Sequence, residues 1–503
     1  MTRWRRVLEA SLCGCLLAGC AVGPQYHGPP APEYTPPAAF KNAADAGRWK
    51  VAEPADTKPQ GPWWSIFGDP VLDRYIQEAL ADNQELRVAA ARIAEARSLD
   101  RVAAADFYPN IQFDPSVTRQ RTTNTGAVEE ASLVGPNPFA GVAGGAAAGS
   151  APLVLATQPL TSTYNLFRTP LDLSWELDLF GRVRRQYEAA REERQGIEAD
   201  YRNMALSLSA NVALNYFGLR DLDSETVVLQ RTIQTRQEAL RIAKERLQAG
   251  LTSDLDMTQA TSDLATNQAD VFALERTRNQ VENALAALLG QPASSVRVPP
   301  RPLSEDGAPP NVPPGLPDRL LERRPDVAAA ERQLAAANAR VGIATAAFFP
   351  VVRLTGAAGF ESADAGSLFE WQSRVWQLGP SVSLPIFEGG RNVANLGAAR
   401  ARYDEAVGTY RQQVLTAFQD VENALGDLRT LAGEAEARRR ATQAARRALE
   451  LSQQQYKRGA VNFLQVLDAE RTALADERIQ TQLLGQRMQA TVQLIKALGG
   501  DWR

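Results

Sequence analysis

The 503-residue chain has one histidine, His27, and three cysteines, Cys13, Cys15 and Cys20. A single histidine in a proline-rich stretch excludes histidine-based triads and His-rich metal sites. No P-loop occurs, and no GxGxxG precedes a helix, so nucleotide chemistry lacks its cradle. Charged residues make up 22% of the chain, and no run of 18 apolar residues occurs, which excludes a bundle of membrane helices. The many carboxylates sit beside Lys and Arg on helical faces, as solvated charge does. No constellation of catalytic groups emerges, and an enzyme is not expected. Proline is missing from two long tracts, 171–291 and everything after Pro385.

What is present begins with a targeting segment. Arg3, Arg5 and Arg6 precede a short apolar stretch marred by Glu9 and ending in Leu17-Ala18-Gly19-Cys20. This reads as a secretory signal over 1–19. Leu-Ala-Gly-Cys resembles the lipobox of bacterial lipoproteins, which implies a covalent lipid on Cys20 of the mature chain, and Ala21 in place of Asp implies outer-membrane sorting. The mature chain then keeps one cysteine and forms no internal disulfide. Removing 1–19 shifts the formal charge from −3 to −5. That mild acidity argues against nucleic acid as a partner.

Residues 20–62 are rich in Pro, Ala and Gly and read as an extended tether. A run at 135–153 reads as a mobile loop, within a 126–160 segment of no evident role, and a Pro-rich linker at 297–317 divides the chain. The two sides repeat. Residues 182–290 align with 391–499 at a constant offset of 209, through identities such as Tyr201/Tyr410, Val212/Val421, Gly250/Gly459 and Gly290/Gly499. Repeat 1 is placed at 63–296, with strands about 110–122 and 164–179, a long helix 182–249 and a return helix 252–289. Repeat 2 is placed at 318–503, with strands about 351–361 and 374–386, a long helix 391–458 and a return helix 461–498. Each long helix would run ~100 Å at 1.5 Å per residue. Gly250 and Gly459 end them as C′ glycines do.

The strands alternate with a period of two. From Phe167 to Leu179 the odd positions are Phe, Thr, Leu, Leu, Trp, Leu and Leu, and the even positions are Arg, Pro, Asp, Ser, Glu and Asp. From Trp376 to Ile386 the apolar residues take the even positions. Four half-buried strands of a soluble sheet would alternate in this way too. A membrane barrel is favoured by strands reaching the ~9–11 residues that cross a bilayer, by the charge on the second face, and by aromatics at strand–helix junctions. Tyr108, Phe180, Phe349 and Phe387 are the candidate interfacial girdle. Four strands cannot close a barrel, so spanning strands would require oligomerisation.

Four stretches together resemble the outer membrane factor family, the TolC/OprM/NodT-type outlet lipoproteins of tripartite RND efflux systems. They are CAVGPQY (20–26), WWSIFGDPVLDRYIQEALADNQEL (63–86), LLERRPDVAAAERQLAAANARVGIATAAFFP (320–350) and YKRGAVNFLQVLDAER (456–471). The resemblance covers essentially the whole mature chain. It implies an α+β membrane protein: a homotrimeric 12-stranded β-barrel continuous with a long periplasmic α-helical barrel. It implies an outer-membrane channel that conducts drugs or other small molecules. A periplasmic adaptor, an inner-membrane RND pump and outer-membrane lipids are the implied partners. Asp468, Arg471 and Tyr456 match positions at the periplasmic aperture, with Gly250 and Gly459 at hairpin tips that would meet the adaptor. Val461 and Gln465 depart from the pattern, standing where some relatives carry Arg and Asp, and Asp256 occupies the position equivalent to Gln465 in the other repeat. Asp468 and Arg471 are also spaced as an ordinary i,i+3 surface pair. An outlet for type I protein secretion and a non-conducting envelope lipoprotein are the alternatives.

Overall fold

The computed structural model describes residues 21–30, 41, 61–121, 163–304, 309, 310, 312 and 323–500. The signal segment, Cys20 and the 126–160 loop lie outside the described residues. The chain divides into a strand unit and a helical unit. The first is built from Val102–Arg184, Thr345–Asn392 and the chain up to Val22; the second holds Gly23–Arg101, Arg185–Ala344 and Val393 onward.

In the strand unit, β1 (Asn110–Phe113) and β2 (Ser116–Arg121) both pair antiparallel with β3 (Thr163–Leu177). Strand β3 pairs with β4 (Val351–Ser362), and β4 with β5 (Arg374–Ser383), again antiparallel. The continuous strand read at 110–122 is therefore broken at Asp114-Pro115. The register places that gap opposite Thr169-Pro170 of β3. Neither proline has an N–H to give to a ladder, and the two fall diagonally within the same gap, so pairing lapses there. On the other side of β3, Gly359 faces the same spot, and a Cβ there would lie 2.2 Å from the Thr169 carbonyl oxygen. Strand β5 stops at Ser383 rather than 386, because its last partner, Val351, begins β4.

The helical unit starts with α1 (Pro70–Asp82) and α2 (Gln84–Ala105). Asp69 caps α1 by accepting from the Val71 N–H at 2.9 Å, with Pro70 at the first helical position. Leu72, Tyr75, Ile76 and Ala79 then fall on one buried face at helical spacing. The long helices are α3 (Arg182–Gln248) and α6 (Arg391–Lys457), with return helices α4 (Asp254–Leu288) and α7 (Phe463–Ala497); α5 (Pro325–Ala346) precedes β4. The bounds 182, 248, 254 and 288 recur 209 positions later at 391, 457, 463 and 497.

One core gathers the middles of α3 and α6 and the ends of α4 and α7 around α1, with Leu72, Tyr216, Leu285, Val421, Val492 and Ile495 in it. The start of the Pro-rich linker is tied to this body. The Arg301 N–H donates to Asp223 at 2.7 Å, and the Leu303 N–H to Ser224 Oγ at 2.8 Å. Arg324 is buried. It donates to the Ala497 carbonyl at 3.0 Å, capping α7, and pairs with Asp326 and Asp420 at 2.6 and 3.0 Å.

Candidate functional site

Two regions have the makings of a site, the strand wall and the hairpin tips. In the wall, residues directly opposite one another share a face. The rows Phe113–Leu171–Ala358–Trp376, Ile111–Leu173–Gly356–Leu378 and Leu177–Val352–Val382 make that face apolar from strand to strand. It is also open: Ile111 is 63% exposed, Trp376 77% and Leu378 67%. The opposite face carries Gln112–Asp172–Ala357–Gln377 and Glu176–Arg353–Ser381. Two charge pairs lie on it, Arg168 with Glu361 at 3.0 Å and Arg353 with Glu176 at 3.7 Å. A sheet that shows its apolar side and carries charge pairs on its other side inverts the soluble pattern and suits a wall between lipid and a wet lumen.

The girdle residues divide. Tyr108 and Phe387 stand exposed, while Phe180 and Phe349 stack on each other with centroids 5.0 Å apart. Trp175 Nε1 donates to the Phe107 carbonyl at 3.0 Å, which fixes the Phe107-Tyr108-Pro109 corner against β3.

At the tips, Gly250 and Gly459 adopt φ of 68° and 76°. The N–H of Leu251 reaches the Arg246 carbonyl and that of Ala460 the Gln455 carbonyl, so both long helices end in the same Schellman closure. The hairpins meet through Ala243, Ala260, Tyr456, Phe463 and Val466. The Arg246 guanidinium lies 4.4 Å over the Tyr456 ring and donates to its carbonyl at 2.9 Å. Burial pushes the Tyr456 phenol up, with Arg246 opposing and Asp256 adding to the shift. Asp256 accepts from the Thr252 hydroxyl. Asp468 is exposed.

Arg471 turns away from Asp468 and pairs with Asp263 of α4 at 3.4 Å, from Nε and Nη2. The reason is burial. Asp263 keeps 7% of its side-chain exposure, and a carboxylate so enclosed draws any cation within reach. Arg236 of α3 is its second partner, itself 3% exposed. Glu470 is buried beside them, accepts from Gln453 at 3.3 Å, and has its carboxyl raised by that burial.

Sequence reading missed this buried polar layer. Its trace is in the spacing: Arg471 and Arg478 are seven apart, as are Asp263 and Asp270, which is the heptad interval of a helix seam. Among the described residues no cluster of three or more His, Cys, Asp or Glu is placed to hold a metal ion.

The outer membrane efflux protein family profile matches residues 75–291 and 316–500. The chain is 31% identical over 494 residues to the probable outer membrane lipoprotein SilC of Salmonella typhimurium, covering 97% of each. It is 32% identical over 496 residues to the outer membrane protein OprJ of Pseudomonas aeruginosa, covering 98% of this chain and 96% of that one. The outer-membrane channel OprN superposes with a TM-score of 0.82 at 30% identity, over 96% of this chain and 100% of its own.

Proposed function

The chain belongs to the outer membrane efflux protein family, and on that premise we propose that three copies form the outlet duct of a tripartite efflux pump. The observation that carries this reading is the open apolar face of the strand wall. Its two edges, the free sides of β1/β2 and of β5, have no strand partner among the described residues. Unpaired strand edges are not tolerated in lipid, so further copies must pair with them. Three copies would give a 12-stranded barrel, within the size range of closed membrane barrels. The paired charges of the other face would then line the lumen.

The duct conducts drugs or other small molecules delivered by a periplasmic adaptor and an inner-membrane RND pump. The tips suit the adaptor. Around Gly250 and Gly459, Leu251, Leu255 and Leu464 are exposed by 68, 62 and 48%, more apolar surface than a free helical turn needs. Three Asp468 carboxylates around the axis would narrow the mouth and favour cations, with Asp256 and the Tyr456–Arg246 contact behind them. In planar bilayers the full-length protein should give cation-selective channels, and Asp468→Ala should lower that selectivity. A protein that forms no channels is not a duct.

A lipid on Cys20 would hold the N-terminus at the membrane. Ala21, the next residue, abuts Gly181 closely enough that a Cβ there would lie 2.7 Å from Ala21 Cβ, and the Val22 N–H donates to the Phe180 carbonyl at 3.0 Å. A group on the preceding residue starts one Cα step, ~3.8 Å, from that strand–helix junction. Intact mass of the mature protein should show an acylated Cys20 as its first residue. A free amino terminus at any other residue would refute the anchor.

A further inference from the structure

The seam that α7 presents to the other hairpin changes character along its length. At heptad spacing it reads Arg471, Arg478, Gly485 and Val492. Val492 is fully buried in the main core with Ile495, so that end is apolar. The three positions toward the tip each meet a carboxylate. Arg471 meets Asp263 at 3.4 Å. Arg478 meets Glu225 of α3 through Nε at 3.3 Å and Nη2 at 3.2 Å, and Asp270 of α4 at 3.7 Å. Gly485 leaves room for Asp221, where a Cβ would stand 2.6 Å from the Asp221 Cγ. Gln482, one turn from Arg478, donates to the other oxygen of Glu225 at 2.8 Å.

These bonds cross between hairpins. They join α7 to α3 and α4, whereas each hairpin is held internally by its own turn. Widening the tips requires the two hairpins to move apart, and these crossing bonds resist it together with the Tyr456 cluster at the tips themselves. The core end is permanent, since separating it would expose Val492 and Ile495. The polar stretch is different. Glu225 keeps 5% of its side-chain exposure, so while the seam is shut it needs Arg478, and once water enters it is satisfied without it. Such a contact has a closed and a wetted state and little between.

From this juxtaposition of Arg478 with Glu225 and Asp270 on three helices, we propose that Arg478 is a second closing residue of the duct, a clasp separate from the aperture. It lies seven residues from Arg471, about 10 Å further from the tip at 1.5 Å per residue. The clasp rests on the duct reading above. It acts by position: Arg478 holds helices together, whereas the carboxylates of the aperture set which ions pass.

The test is resting conductance of the full-length protein in planar bilayers. Arg478→Glu puts three carboxylates together and should raise resting conductance about ten-fold over wild type, with cation selectivity retained. Adding Glu225→Arg restores an opposite-charge pair across the same seam and should return conductance to within about two-fold of wild type. Arg478→Gln, a milder change that keeps a donor, should give a smaller rise of about three-fold and covers the case in which the reversal does not assemble. Arg447→Ala, which removes an exposed pair with Glu450 on α6 alone, should change nothing. Wild-type conductance in both Arg478 variants overturns the clasp and leaves the duct standing. A rise that Glu225→Arg does not reverse overturns the pairing. Absence of any channel from the wild-type protein overturns the duct and the clasp with it.

Discussion

Leu378→Arg should abolish assembly of the protein into the outer membrane, while Gln377→Arg, one residue earlier, should be tolerated. The two side chains lie on opposite faces of β5. Leu378 stands opposite Gly356, in the row that runs through Leu173 to Ile111, and is 67% exposed in the single chain. Gln377 stands opposite Ala357, in the row that runs through Asp172 to Gln112. If the first face meets lipid, an arginine at 378 costs about 2–4 kcal/mol near the bilayer midplane, once per chain. Three copies in one assembly multiply that cost, and a barrel has no soluble alternative for its edges. An arginine at 377 would enter a wet, charge-bearing lumen, with Asp172 across the small Ala357 in the same row, and find water there. The measurement is the amount of folded oligomer extracted from outer membranes by mild detergent. Equal yields from the two variants would mean that the faces are not distinguished by lipid, and the wall would lose its assignment.

The same rows show what the sequence made legible and what it did not. Alternation within 167–177 and 376–383 marked which residues share a face, because a period of two is a property of one strand alone. Register is a property of two strands, and only the structure aligns Phe113 with Leu171 and Trp376 with Ala358. The break at Asp114-Pro115 follows from the same limit. Pro115 and Pro170 each fit their own strands, and their effect comes from falling diagonally in the same short stretch of the ladder. The helices were legible to within about two residues because proline and glycine punctuate them locally. At the tips, the glycines and Tyr456 were visible in the motif. The partner of Arg471 was not, since Asp263 lies 208 residues away and nothing local singles it out from other carboxylates. Burial selects it: a carboxylate shut into a seam is a different group from one on a surface, and burial is a tertiary fact.

Asp221 carries that difference furthest, and wild-type stability should fall as pH rises from about 5 to about 8. Its Oδ1 is closed off from water and accepts no hydrogen bond among the described residues. Burial, with Glu225 one helical turn away adding to it, pushes the Asp221 carboxyl up to about 7. Arg478 on the facing helix is committed to Glu225 at 3.2 Å, and Gln482 donates to Glu225 as well. The folded chain therefore keeps a proton on Asp221 that the unfolded chain gives up near its ordinary value of 3.8. Between those two values the folded state binds more protons, so stability declines with rising pH, and above about 7 the decline stops. At about 1.4 kcal/mol per pH unit, the loss between pH 5 and 8 is of the order of 3 kcal/mol per chain. Asp221→Asn keeps the shape of the protonated acid and removes the titration, and Gly485 still leaves room for it. Heating the detergent-solubilised protein while following its helical signal should show variant and wild type drawing apart as pH rises, the variant more stable at pH 8. Glu470, Glu192 and Asp200 are raised in the same direction and remain in both proteins, so only the difference between the two reports on Asp221. Parallel pH profiles would show that Asp221 ionises as freely folded as unfolded, and the acid seat opposite Gly485 would then be an ordinary wet contact.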